Sequence, residues 1–447
     1  MYLLIAFLSL FFSSFLFKKA SGSLELTSIN MISWIFFYDF VLQAFVSSIL
    51  VIYNLDFHYL ISKIGNPDAR VMGFFSVQYM MVGLPMGMLI ANFCFRFNSK
   101  RELSNYQLKP MVTLISRNDS YIRFPLYILS LISFLSILYT FYTIRSFPIL
   151  HMLSGADAVS LGNMRSDAKA GFEGITFIRN VFGLALTPIL AFISYGYFKM
   201  TNRFNDKIWF IIMVILSVLI LTYNLEKAPV AFFLIGFFIF RVLYKGNVSK
   251  RVLIYLALTL FVLMVFLYTF LTASFDIRNF FDIRTGILGR IFLGQSAGLY
   301  LTFDTFPKPF DFLGFSTMSD SFVSLLGIEH QDRLGRLLIE RYNPNAVDLG
   351  TAGVINTFFI AEAWANFGWI GWIFSPLYVG FLIQCMYIFF LKNSKTPFLM
   401  GLFVYFSYKG GIGGGFNEYI YNPGLIIVTL VVFFMFSYGR SLKNAGI

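Results

Sequence analysis

Between about Ser274 and Asn366 an otherwise apolar chain turns polar, and six arginines fall there: Arg278, Arg284, Arg290, Arg333, Arg336 and Arg341. A guanidinium is a planar fork that can give two hydrogen bonds at once to a phosphate. The segment therefore has the chemistry to hold an anion. It also carries His330 and, within Phe358-Phe359-Ile360-Ala361-Glu362-Ala363-Trp364, a carboxylate in a largely apolar helix. Such a carboxylate is either paired with an arginine or poised as a base. Two cations lie outside the segment. Arg165 stands with Asp167 and Lys169 in a stretch bounded by Gly162 and Gly171, whose small residues allow close approach of a ligand. Lys227 follows Glu226 in the tight turn Tyr223–Pro229, where ionisable groups near membrane depth pair or line a polar cavity.

Each of these has a plainer reading. Arg336 and Glu340 are four apart on an amphipathic helix and can simply pair. Glu226 and Lys227 can neutralise each other, and Arg165 fits an ordinary connecting loop. Phe275-Asp276-Ile277-Arg278 recurs as Phe281-Asp282-Ile283-Arg284, a pair of interfacial turns or part of an anion site. A loop histidine is most often solvated.

Other chemistries lack their motifs. His58, His151 and His330 have no second ligand at metal spacing, and Cys94 and Cys385 lie inside apolar runs. The sequence contains no phosphate-binding G-x-x-x-x-G-K-[ST], no H-E-x-x-H, no G-x-S-x-G and no Asp-x-Asp. No metal or cofactor is expected. The glycine-rich stretch Gly410–Gly415 leads into Phe416-Asn417-Glu418-Tyr419 and reads as a close-packing or re-entrant turn.

The elements that must position these residues are membrane helices. Hydrophobic residues make up 58% of the 447 and charged residues 13%, against about 25% charged in a soluble domain. Without a barrel's alternation, helices are the spanning form. At about 20 residues per span, the apolar runs give about eleven helices in a single domain, 1–447. They lie near 1–17, 29–53, 71–95, 122–142, 174–198, 208–223, 228–243, 252–272, 369–391, 397–412 and 423–439. The first has no basic residues ahead of it and reads as an uncleaved span. Short basic loops alternate with loops of mixed sign, which puts the N-terminus outside and the C-terminus in the cytoplasm. The segment 273–368, between the eighth and ninth spans, is then external. The net charge of +12 is assigned to short loops facing anionic membrane lipids, not to nucleic acid.

The turn Asn224-Leu225-Glu226-Lys227-Ala228-Pro229, the long arginine-bearing segment, Gly350-Thr351-Ala352-Gly353 and Ala361-Glu362-Ala363-Trp364-Ala365-Asn366-Phe367-Gly368-Trp369-Ile370-Gly371 together resemble the Wzy-type O-antigen and capsular polysaccharide repeat-unit polymerases. The sequence likeness is confined to about 150 residues, although the architecture matches most of the chain. In that family arginine is commoner than lysine at the position of Lys227. The resemblance implies a GT-C-like, metal- and nucleotide-independent glycosyltransferase of the bacterial inner membrane. It would join undecaprenyl-pyrophosphate-linked oligosaccharide units at the outer face, with a chain-length regulator as a partner. It implies Glu362 or His330 in catalysis, and Arg165, Lys227 and the six arginines in holding substrate. Two other classes compete. An O-antigen ligase on the same carrier would use an external histidine such as His330 beside Arg333. A lipid-linked oligosaccharide flippase or other transporter would show two pseudo-symmetric halves and charges along mid-span, whereas these charges collect on one face.

Overall fold

The apolar runs fold as helices because no other structure satisfies every backbone amide away from water. The computed structural model describes residues 1–444 apart from 56–57, 114–119, 156–157, 170, 227, 273–280, 285 and 349–352. Helix accounts for 76% and strand for none among the described residues. Among the described residues eight helices are long and apolar enough to cross a membrane: α1 (Tyr2–Ser21), α2 (Met31–Ile52), α3 (Pro67–Cys94), α4 (Arg123–Ile144), α5 (Ile178–Thr201), α6 (Phe204–Leu221), α7 (Ala228–Lys245) and α8 (Phe358–Lys392). The chain is an all-α polytopic membrane protein. Helices also cover Lys250–Thr272 and Pro423–Asn444. On α1, Phe7, Leu8, Phe11 and Phe15 are exposed while Ala6, Ser13, Phe17 and Ala20 are buried. Such an apolar outer face suits lipid and would be a liability in water.

One expectation from the sequence needs correction. The span expected over 397–412 is a helix of 13 residues, Pro397–Lys409. At 1.5 Å per residue it reaches only about 20 Å, short of the roughly 30 Å hydrocarbon core. Every residue from Pro397 to Tyr408 is buried, packed against α5 and α7. Hydropathy cannot tell a helix surrounded by protein from one surrounded by lipid. Within the polar segment, the helix Ala297–Thr305 is buried. Its Tyr300 ring occupies the space where Gly73 of α3 lacks a side chain; a Cβ there would lie 2.2 Å from the ring.

The tightest crossing joins α3 and α8. Gly83 and Gly87 form a small-x-x-x-small face on α3 that lets the two backbones approach. A Cβ on Gly87 would lie 2.1 Å from the Leu377 carbonyl oxygen, and one on Gly380 would lie 2.0 Å from that of Leu84. Backbone cannot swing aside as a side chain can. Gly87→Val and Gly380→Val are expected to lower stability in detergent by at least the upper end of the about 1–3 kcal/mol typical of overpacking. Gly353→Ala, which meets nothing within 4 Å, should unfold at the wild-type temperature. Equal melting of all three would refute this account of the crossing.

Among the described residues three stretches are π-helical: Ile35–Phe45 in α2, Ile178–Ala185 in α5, and Arg290–Gly294. Such widened turns often mark functional sites. These carry Asp39, then Arg179 and Asn180, then Arg290.

Candidate functional site

Helix α8 has two arms. It breaks at Gly368, whose φ of 57° and ψ of −138° only glycine adopts readily. The first arm is buried from Phe358 through Asn366, and the second, from Trp369, carries the exposed Ile370 and Phe374. The end of the first arm is capped by the chain before it. Leu313 N–H donates to the Ala365 carbonyl (2.9 Å) and Gly314 N–H to that of Asn366 (3.0 Å), supplying carbonyls that the break leaves open.

Glu362 and Asn366 lie four residues apart on this arm and share a face. Glu362 is 4% exposed. Its Oε2 accepts a hydrogen bond from the Asn417 backbone N–H at 2.8 Å. Asn366 Nδ2 donates to Asn417 Oδ1 (2.9 Å), Asn417 Nδ2 to Thr317 Oγ1 (2.9 Å), and the Thr317 hydroxyl to Asn366 Oδ1 (3.3 Å). This closed ring of three buried side chains fixes the Asn417 amide that meets the carboxylate.

The glycine-rich turn is held from two sides by carboxylates. Asp39 Oδ2 accepts from Ile412 N–H at 3.2 Å and crowds Gly411, where a Cβ would lie 3.0 Å from the same oxygen. On the other side a Cβ at Gly415 would lie 2.3 Å from Glu362 Oε2. The Ile412 carbonyl accepts from Phe359 N–H at 3.3 Å, satisfying an amide in the first turn of α8. The expected close-packing turn is therefore present, and it forms a wall of a cleft.

That cleft has a volume of about 700 Å³, within the range of small-molecule sites. Glu362, Asn417, Arg333, Glu418 and Lys409 supply its chemistry, with Asn180 from the π-helical turn of α5. Val181, Ala185, Tyr405, Phe406, Leu425 and Val428 make the remainder apolar and aromatic. Arg333, immediately before the helix Leu334–Tyr342, reaches Glu418 across the cleft at 3.4 Å; the two side chains are 66% and 47% exposed. A long, exposed pair of this kind is worth at most about 1 kcal/mol, so a ligand can displace it.

Of the residues singled out in the sequence, Glu362 and Arg333 line the cleft. The others that are described stand elsewhere. Arg165 is exposed on the helix Ala158–Lys169. Arg284 is exposed, with its backbone N–H donating to Asp282 Oδ1. Arg336 pairs with Glu340 at 2.7 Å, the plainer of its two readings. Arg341 lies over the rings of Phe310 and Tyr342. His330 is exposed and does not line the cleft. Lys227 and Arg278 lie outside the described residues. Glu226 pairs with Lys169 at 2.7 Å.

Arg290 is exposed beside the buried His58. His58 Nδ1 accepts from Leu60 N–H at 3.3 Å, which places the ring proton of the neutral form on Nε2. Burial, and then the Arg290 charge, push its pKa down to about 4. Among the described residues no group of three or more His, Cys, Asp or Glu side chains could hold a metal ion. Neither a family model, nor a curated protein, nor a solved structure matches this chain.

Sequence reasoning missed Asp39, Lys409, Asn417, Glu418, Thr317 and Asn180. Only the glycine run beside Asn417 and Glu418 hinted at them.

Proposed function

We propose that the cleft transfers a growing glycan from its polyprenyl pyrophosphate to the next lipid-linked oligosaccharide, polymerising O-antigen or capsular repeat units at the outer face of the bacterial inner membrane. The observation that carries this reading is the buried Glu362 carboxylate facing the same amphipathic cleft as Arg333, among membrane-spanning helices. A substrate that is sugar at one end and lipid at the other suits walls that are polar on one side and aromatic or aliphatic on the other.

In the transfer, a hydroxyl oxygen of the incoming unit attacks the anomeric carbon of the growing chain. Its proton passes to the Glu362 carboxylate as general base. The bond from the anomeric carbon to the pyrophosphate oxygen breaks, and its electron pair leaves with the pyrophosphate. Cations are needed where that charge develops, and Arg333 is free to serve because its hold on Glu418 is loose. The carboxylate's second contact, the Asn417 amide, keeps Glu362 in place through the cycle. A ligase on the same carrier would rest on His330, which stands outside the cleft. A chain-length regulator would act on the assembled enzyme.

The test is polymer formation in proteoliposomes supplied with purified lipid-linked repeat units. Arg333→Ala is expected to slow chain growth by about tenfold or more, with poor rescue by Arg333→Lys because the bidentate fork is lost. Arg165→Ala, Arg284→Ala and Arg290→Ala should leave the ladder intact, since none lines the cleft. If wild-type protein lengthens no glycan from any lipid-linked donor, the reading fails.

A further inference from the structure

Charge in and beside the cleft is paired in part. Arg333 meets Glu418 at 3.4 Å, and Lys169 meets Glu226 at 2.7 Å. Two charged side chains that line the cleft have no ion-pair partner among the described residues: Lys409 and Glu362. Glu362 has its backbone amide, whereas no hydrogen bond satisfies the Lys409 ammonium among the described residues. Glu226 and Glu418 act on Lys409, but each is already engaged by another cation.

Lys409 ends the buried helix Pro397–Lys409 and projects from that rigid post into the cleft. The carbonyl end of a helix favours a cation there. Lys409 is exposed, and its ammonium carries three donors and no acceptor, so an anion can take those donors from water without breaking a contact within the protein.

We propose that Lys409 is the anion-binding residue of this cleft, taking a phosphate or pyrophosphate group carried by the same ligand whose hydroxyl-bearing part faces Glu362. An unpaired cation and an unpaired carboxylate in one cavity call for a ligand with an anionic group and a neutral, hydrogen-bonding one. The phosphate chemistry of the ligand rests on the glycosyl-transfer reading; the anion site itself rests on the charge pairing. Arg333, released from Glu418, would close over the anion from the rim. Arg284 and Arg290, which do not line the cleft, are not needed for it.

The experiment is equilibrium binding of inorganic pyrophosphate and of farnesyl pyrophosphate to the purified full chain in a neutral detergent. Lys409→Met and Lys409→Gln are each expected to weaken both ligands by about tenfold or more, the loss of a charge-assisted contact. Lys409→Arg should bind within about threefold of wild type because the charge is kept. Glu362→Gln should bind as well or better, since a nearby negative charge is gone, and Arg165→Ala should bind as wild type. Thermal unfolding of each variant establishes that it is folded, and two substitutions guard against one that is not. Wild-type affinity in folded Lys409→Met or Lys409→Gln would overturn the proposal, as would no binding of either pyrophosphate to the wild type. Tighter binding of farnesyl pyrophosphate than of inorganic pyrophosphate supports a lipid-borne ligand. Equal affinity with the Lys409 dependence intact supports the anion site and counts against the polymerase reading alone.

Discussion

Glu362→Gln is expected to cut glycan polymerisation by about 100-fold or more, which corresponds to about 2.7 kcal/mol of transition-state stabilisation. The change is nearly isosteric. Its side-chain oxygen can still accept from the Asn417 amide, which wild-type Glu362 holds at 2.8 Å. What it removes is the ability to take a proton. The loss should appear in kcat, with the donor bound as tightly as by the wild type and the unfolding temperature unchanged. Glu362→Ala makes a useful contrast, because it strands a buried backbone amide and should cost about 1–3 kcal/mol of stability besides the activity. Turnover of Glu362→Gln near the wild-type rate, measured with purified lipid-linked units, would remove Glu362 as the base.

The second large effect is expected where no charge is altered. Gly415→Ala puts a methyl 2.3 Å from Oε2 and 2.8 Å from Oε1 of Glu362. The carboxylate must swing away, and with it goes the contact to Asn417. Chain growth should fall about as far as in Glu362→Gln, in keeping with the sensitivity of catalysis to an ångström of misplacement. The two changes act on one group, so the double variant should be little worse than either single one. Gly413→Ala, two residues away with nothing within 4 Å, is the matched control and should retain activity. If Gly415→Ala is fully active, or if its effect simply multiplies that of Glu362→Gln, the turn does not act by positioning the carboxylate.

Both effects depend on contacts between stretches far apart in the chain. Asp39 lies in α2 and meets Ile412; Glu362 in α8 meets Asn417; Thr317, in the loop between helices, closes the ring with Asn366. The sequence does mark Glu362 as unusual, because a carboxylate in an apolar helix is costly wherever it ends up. It singles out Lys409 less clearly, as a basic residue near the end of the apolar run 397–412.

Composition and pattern by themselves determined that this chain is helical and crosses a membrane. Apolar runs of about 20 residues have no other way to satisfy their amides in hydrocarbon. They also located the polar segment and the glycine turn. Only the tertiary structure decided which charges share a space. Arginine is conspicuous in a sequence for its type, yet Arg284, Arg290, Arg336 and Arg341 lie outside the cleft, where they are exposed, paired with a neighbouring carboxylate or set over a ring. The fold also withdrew Pro397–Lys409 from the expected set of spans and turned it into a buried post that ends in Lys409 at the cleft. The physical reason is one of range: a helix is specified by hydrogen bonds and side chains a few residues apart, whereas the cleft exists where separate parts of the chain pack together, and no local pattern records their neighbours.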